Sequence, residues 1–301
     1  MQVIKRELFN MEYLLHVIYL LCIYIMLVLS ANLTTGMANL LTMCQAAFYG
    51  IGAYIGTYFL LQYNFSFFFI ALIVMAVTGL SSLIISYASV KLKGDYFVLA
   101  TMGFQLIVYT IIYNWTEVTH GTYGIAGIPG FNLAFGLITI DDIYLNLALV
   151  MLVTVAITLF LHRLKVSPYG RLLKAIRTDV ITVESFGRNT AGVKIWAFAL
   201  SSAIAGFAGA LYASYVGYID PTSFPLKESI FILCALFIGG IGNIEGPIYG
   251  AAFVVLLPEV LRWIGLPDSM AAEIRQIIYG LALVLIMIFH PQGIKGKIVM
   301  K

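Results

Sequence analysis

From Tyr13 to Val90 the sequence has no aspartate, glutamate, lysine or arginine, a stretch of 78 residues without a formal charge. A charge near the centre of a bilayer costs about 2.5–3.5 kcal/mol on insertion scales, and one helical span takes about 20 residues. The vacancy is therefore longer than three spans, and the chain of 301 residues reads as an all-α, polytopic integral membrane protein. Acids are scarce in the other apolar runs as well. Asp95 and Glu245 are the acids read as lying close to them, and both sit at turns. An ion-coupled carrier generally needs a buried Asp, Glu or His for its ion, so the energy source is expected on another chain. A nucleotide-binding Gly-Lys-Ser/Thr loop, a metal-spaced His/Cys cluster and a Ser-His-Asp set are all missing. No catalytic and no metal-ligating residue is assigned, and no cofactor is expected on this chain. His16, His120, His162 and His290 are scattered, mostly near span ends. The three cysteines, Cys22, Cys44 and Cys234, are odd in number, lie inside apolar runs and read as buried free thiols.

The charge that is present is concentrated. Arg163, Lys165, Arg171, Lys174, Arg177, Arg188 and Lys194 face only Asp179 and Glu184 in residues 163–194. By the positive-inside rule this segment is cytoplasmic. The net charge of +3 is a matter of topology and implies no nucleic acid partner. Ser167-Pro168 fits an N-cap followed by a first-turn proline. Thr178 or Asp179 is placed to cap a second short helix running to Phe186, with Gly187 ending it in the left-handed region. Two readings stay open: a docking surface made of two short amphipathic helices, or a basic loop that only holds orientation.

Along the chain, Lys5 and Arg6 precede a retained first span at about Tyr13–Leu33, not a removed signal peptide. The segment from Gly36 to Gln62 is rich in small residues, and Gly50-Ile51-Gly52 is a candidate break into two half-helices. Further spans run over 66–90 and 96–115. Residues 116–142 carry acids, glycines and no lysine or arginine, so they form an outside loop, either compact or merely turn-rich. Spans follow at 143–161 and 195–219. Two short runs at 229–241 and 248–261 flank a glycine-rich turn, as expected for helices near a pathway. A last span at 274–289 leads to a lysine-rich, cytoplasmic end. Nine spans put the N-terminus outside. Splitting Gly36–Gln62 gives ten, puts Lys5 and Arg6 inside, and is preferred.

These residues, in order, resemble the permease subunits of ATP-binding-cassette importers for branched-chain amino acids. The resemblance is carried by Gln45-Ala46-Ala47-Phe48 with Gly50-Ile51-Gly52-Ala53-Tyr54, and by Gly94-Asp95-Tyr96-Phe97 with Ala100-Thr101. Gly124 and Gly127-Ile128-Pro129 follow, then Gly170-Arg171, Ala175-Ile176-Arg177, Glu184-Ser185 and Gly187. Ala205-Gly206, Ala208 to Tyr212, Gly239-Gly240, Gly242, Gly246-Pro247, Gly250-Ala251 and Pro291-Gln292-Gly293 complete it. Departures are Cys44 for a frequent glycine, Leu106 for a frequent acid and Glu245 at a usually apolar position. Urea permeases share most of these signatures.

The resemblance implies a bacterial inner-membrane protein of nine to ten spans, forming one permease domain over 1–301. It implies partners: a second homologous permease, ABC ATPase subunits carrying ATP and Mg, a periplasmic solute-binding protein, and membrane lipid. Residues 163–194 become a cytoplasmic coupling loop in which Arg171, Ala175, Arg177, Asp179, Glu184 and Gly187 meet the ATPase. Ala175 and Gly187 would fit by small size, and Arg171 and Arg177 by charge. Residues 116–142 become a periplasmic loop. Gln45, Gly50, Gly52, Asp95, Gly240 and Gly242 are the expected pathway residues. A self-contained carrier or channel, and more distantly a membrane-embedded enzyme, are the alternatives.

Overall fold

The structure is a computed structural model, and it describes residues 11–63, 65–89, 92, 94–131, 143–263, 268–289 and 293–295. Helix α1 (Met11–Ala31) continues directly into a π-helical turn, Asn32–Met37. The other long helices are α2 (Gln45–Tyr63), α3 (Phe67–Ser89), α4 (Asp95–Asn114), α6 (Ile143–Val166), α9 (Thr190–Val216), α10 (Leu226–Gly239), α11 (Glu245–Trp263) and α12 (Asp268–Phe289). Short helices α5 (Thr116–Thr119), α7 (Pro168–Thr178) and α8 (Val180–Ser185) lie in the connections. Six segments among the described residues are long and apolar enough to cross a bilayer, so the protein is an all-helical, multi-pass membrane protein.

α9 is the axis of the bundle. It packs on α2, α3 and α1, and its sequence explains why. Ala203, Ala205, Gly206, Ala208, Gly209 and Ala210 are all buried in it, and small residues let backbones approach closely in lipid, where apolar burial alone drives little association. On α2, Gly52 and Gly56 face this stripe. A Cβ on Gly52 would lie 1.9 Å from the Gly206 carbonyl oxygen, and one on Gly209 would lie 1.9 Å from that of Tyr49. α2 is one continuous helix through these glycines. The expected break at Gly50-Ile51-Gly52 is therefore corrected: Gly52 serves contact with α9, Gly50 makes room for the Phe224 ring, and neither breaks the helix.

Among the described residues the Gly36–Gln62 segment holds one long helix, α2. Contacts between elements also fix the direction of α1. At the end of the bundle that carries α7 and α8, Arg177 bonds Gly36 and Asn32 bonds Asn243. At the other end, His16 bonds Tyr215 at 3.0 Å and Tyr13 donates to Glu259. Met11 thus begins α1 at the end opposite the basic segment. Lys5 and Arg6, which favoured ten, lie outside the described residues.

The end opposite α7–α8 is closed by a two-stranded antiparallel pair, β1 (Ile125–Ala126) with β2 (Tyr218–Ile219), in register Ile125↔Ile219. Gly124, at φ +68°, enters this pair where a Cβ would sit 2.5 Å from the Ile219 carbonyl oxygen. Of the outside loop expected over 116–142, residues 132–142 fall outside the described residues. Cys22, Cys44 and Cys234 are buried free thiols.

Candidate coupling surface and the buried polar ladder

α7 starts and stops where its side chains dictate. Ser167 caps it by accepting from the Gly170 amide, with Pro168 in the first turn. Asp179 ends it and caps α8, accepting from the Ile181 and Thr182 amides. These bonds, led by that from the Thr182 hydroxyl, hold the Asp179 carboxyl below its usual range. Gly187 closes α8 at φ +73°.

A helix repeats every 3.6 residues, so α7 has two faces. Gly170, Leu173 and Ile176 are buried against the rest of the protein. A Cβ on Gly170 would meet the Leu164 carbonyl oxygen at 2.3 Å. Arg171, Lys174, Ala175 and Thr178 are exposed on the opposite face. α8 adds Ile181 and the following turn adds Phe186, which are 77% and 80% exposed. Apolar side chains that open beside cationic ones have the composition of a protein contact surface. Tyr169 anchors the pair to α9 through a 2.8 Å bond to the Val193 carbonyl oxygen, and burial pushes its phenol up to about 12.

Arg177 differs from Arg171. It shares the inward face with Gly170 and Leu173, it is half-buried, and its guanidinium donates to the Gly36 carbonyl oxygen. Burial lowers its pKa from the usual arginine value, although a guanidinium stays charged at any ordinary pH. Gly187 has no atom within 4 Å of a Cβ position. Within this chain its requirement is therefore the left-handed backbone.

The six expected pathway residues are not brought together. Gln45 is 3% exposed and belongs to a ladder of buried polar side chains. Its amide donates to the Ser201 hydroxyl (3.1 Å), and Ser201 donates to the Ser30 carbonyl oxygen (2.7 Å). The neighbouring Ala46 amide donates to Ser229, which donates to Gln105, which donates to the Phe224 carbonyl oxygen. Gly50 faces Phe224, and Gly52 faces Gly206. Gly240 and Gly242, at φ +106° and +84°, form the turn between α10 and α11, and the Gly242 amide donates to the Asn32 side chain at 3.1 Å. Asp95 stands exposed in the first turn of α4, beside α7 and α8.

Several polar groups escaped the sequence reading. Glu228 accepts from Tyr24, and Glu259 accepts from Tyr13. Both acids, with Tyr24, line one cavity of about 240 Å3. The sequence reading ends an outside loop at Glu228 and counts only Asp95 and Glu245 as acids near the apolar runs. The structure corrects this, since Glu228 lies in the first turn of α10 and Glu259 within α11, both half-buried. Pairing with tyrosines from α1 is a tertiary relation that residue type alone does not carry. Asn32 is 1% exposed and holds both Asn243 and Gly242. Its signal was available: an amide at the end of a long apolar run, four residues before Gly36. Glu245, unusual for its position, pairs with Lys295 at 2.9 Å in an exposed bridge, a type that contributes little to stability. Among the described residues no group of His, Cys, Asp and Glu could hold a metal ion.

A family profile described as the permease component of a branched-chain amino acid transport system matches residues 13–287. The high-affinity branched-chain amino acid transport system permease protein LivM of Salmonella typhimurium is 34% identical over 295 residues, covering 90% of this chain and 67% of that protein. The probable LivM of Methanocaldococcus jannaschii is 28% identical over 218 residues, covering 68% of this chain and 61% of that protein. The autoinducer 2 import system permease protein LsrC of Yersinia enterocolitica is 30% identical over 146 residues, covering 47% of this chain and 39% of that protein. No solved structure matches the chain.

Proposed function

The chain belongs to the family of branched-chain amino acid transport permease components, and from that premise we propose that it forms half of the translocation pathway of an ATP-driven importer for leucine, isoleucine and valine. It is a transport subunit and not an enzyme. The whole chain, 1–301, acts as one permease domain in the bacterial inner membrane. A second, similar permease completes the pathway, two ABC ATPase subunits with ATP and Mg dock on 163–194, and a periplasmic solute-binding protein meets 116–142. Nine crossings fit the nine long helices of the described residues and the direction of α1.

The observation that carries this reading is the α7–α8 pair. It is capped at each junction, buried on one face, and presents Arg171, Lys174, Ala175, Ile181 and Phe186 on the other. A loop that only held orientation would need charge and no such packing. Asp179, Glu184 and Gly187 shape the pair, and Arg171 and Ala175 meet the ATPase. The pathway itself is assigned to the interface between the two permeases. Gln45, Gly50, Gly52, Gly240 and Gly242 act from behind it by fixing helix positions.

Labelled leucine uptake, in cells with and without the gene, tests the function. Uptake that requires the gene, collapses on ATP depletion and ignores excess urea is the expected result. Loss of urea uptake in its place would move the solute, and gene-dependent leucine uptake surviving ATP depletion would replace the importer by a carrier. Gly187 gives a sharper test of the coupling pair. Gly187→Val forces a β-branched residue to positive φ and should abolish uptake at normal membrane levels. Gly187→Asn, whose residue tolerates that region, should retain most of it. Equal activity of the two variants would refute a backbone role.

A further inference from the structure

Beneath α7 and α8, where they meet the start of α4 and the turn after the π segment, lies a cavity of about 830 Å3. Small-molecule sites commonly occupy about 300–1,000 Å3. Its walls carry five charges: Asp95, Arg177, Asp179, Glu184 and Lys194 among the lining residues. Two of the acids are already engaged, Asp179 by the amides it caps and Glu184 by the Thr190 hydroxyl at 2.5 Å. Asp95 and Lys194 make no hydrogen bond or ion pair among the described residues; Lys194 is half-buried, and Glu184 on the same wall is near enough to act on its charge. Arg177 gives one N–H to Gly36 and keeps others. Beside these charges the lining is apolar, with Leu40, Phe97 and Val98.

Of the three carboxylates on the wall Asp95 alone accepts no hydrogen bond among the described residues, and with the two cations and the apolar lining it is complementary to an α-amino acid zwitterion with an aliphatic side chain. We propose that this cavity binds such an amino acid from the cytoplasmic side, the ammonium on Asp95, the carboxylate on Lys194 and Arg177, and the side chain against Phe97 and Val98. An inorganic anion would leave Asp95 unmatched, and a lipid chain would leave every charge unmatched. An occupant here bridges α4 to the coupling helices and α9. It opposes any movement of α7–α8 relative to the membrane body, so accumulated product slows its own import. The inference rests on the proposed substrate class.

The complete transporter is reconstituted in vesicles with its ATPase side outward. Binding protein and labelled leucine are enclosed, and ATP is supplied in the bath. Unlabelled bath leucine should slow ATP hydrolysis and leucine movement saturably. Leucinol, which lacks the carboxylate, and 4-methyl-2-oxopentanoate, which lacks the ammonium, should have little effect at the same concentration. Lys194→Gln removes a charge-assisted contact and Val98→Trp fills the cavity. Each should raise the half-inhibiting concentration at least about tenfold. Transport indifferent to bath leucine overturns the site, as does equal inhibition by the two analogues or an unshifted half-inhibiting concentration in both variants. If both variants fail to assemble, the analogues decide the question on the unmodified protein. Absence of any ATP-driven leucine movement would overturn the proposed function itself.

Discussion

Gly52→Val and Gly209→Val are expected to leave no stable bundle. At each position the added Cβ would fall 1.9 Å from a backbone carbonyl oxygen of the facing helix. No rotamer change relieves a clash with backbone, so α2 and α9 must separate along their whole contact. Overpacking a core costs about 1–3 kcal/mol when side chains can adjust. Here they cannot, and the expected cost exceeds about 3 kcal/mol out of a total that is commonly 5–15 kcal/mol. The separation also breaks the polar ladder, because Gln45 on α2 reaches Ser201 on α9. Gly103→Ala on α4 is the control. Nothing lies within 4 Å of its Cβ position, so alanine should be neutral, or stabilising by up to about 1 kcal/mol through the unfolded chain. Thermal melting of the detergent-purified chain separates these outcomes. A Gly209→Val protein melting with the wild type would show that α2 and α9 do not pack as described.

The contrast between those glycines marks what the sequence can and cannot convey. Span positions were legible because charge and apolar runs answer directly to the bilayer. The caps at Ser167 and Asp179 and the left-handed Gly187 were legible because they are local, each settled within four residues. The interior of the Gly36–Gln62 segment was misread because glycine has two uses in a membrane helix, as a backbone break and as a contact surface. Only the partner distinguishes them, and that partner, Gly206 with Gly209, lies some 150 residues away in sequence. The ten-span expectation rested on Lys5 and Arg6, which lie outside the described residues, whereas the direction of α1 within the bundle is carried by tertiary contacts such as His16 with Tyr215. Arg177 was grouped with Arg171 by charge, although helical spacing sets it on the face of Gly170 and Leu173. That inward turn was recoverable from the sequence; its acceptor, Gly36, was not.

The inward turn of Arg177 leads to the second large effect. Arg177 joins α7 to Gly36. One turn back in the same π-helical segment, Asn32 joins Asn243 at 2.6 Å and the Gly242 amide at 3.1 Å, at the turn between α10 and α11. Single π turns within α-helices are frequent at functional sites, and this one, at the end of α1, stands between the α7–α8 pair and the α10–α11 hairpin. Proximity alone does not establish coupling. A double-mutant cycle does. Arg177→Met leaves the Gly36 carbonyl without its charged donor, and Asn32→Ala frees the hairpin turn. Each lost buried bond is worth about 1–3 kcal/mol, so each variant should lower ATP-driven leucine uptake by about tenfold at normal membrane levels. If motion of α7 reaches the hairpin through Gly36 and Asn32, the double variant should transport about as well as either single one, because the second cut severs a connection already lost. Independent contributions would multiply to about a hundredfold. That result would return Arg177 to a local role in seating α7, with the ATPase stroke carried through Tyr169 and α9.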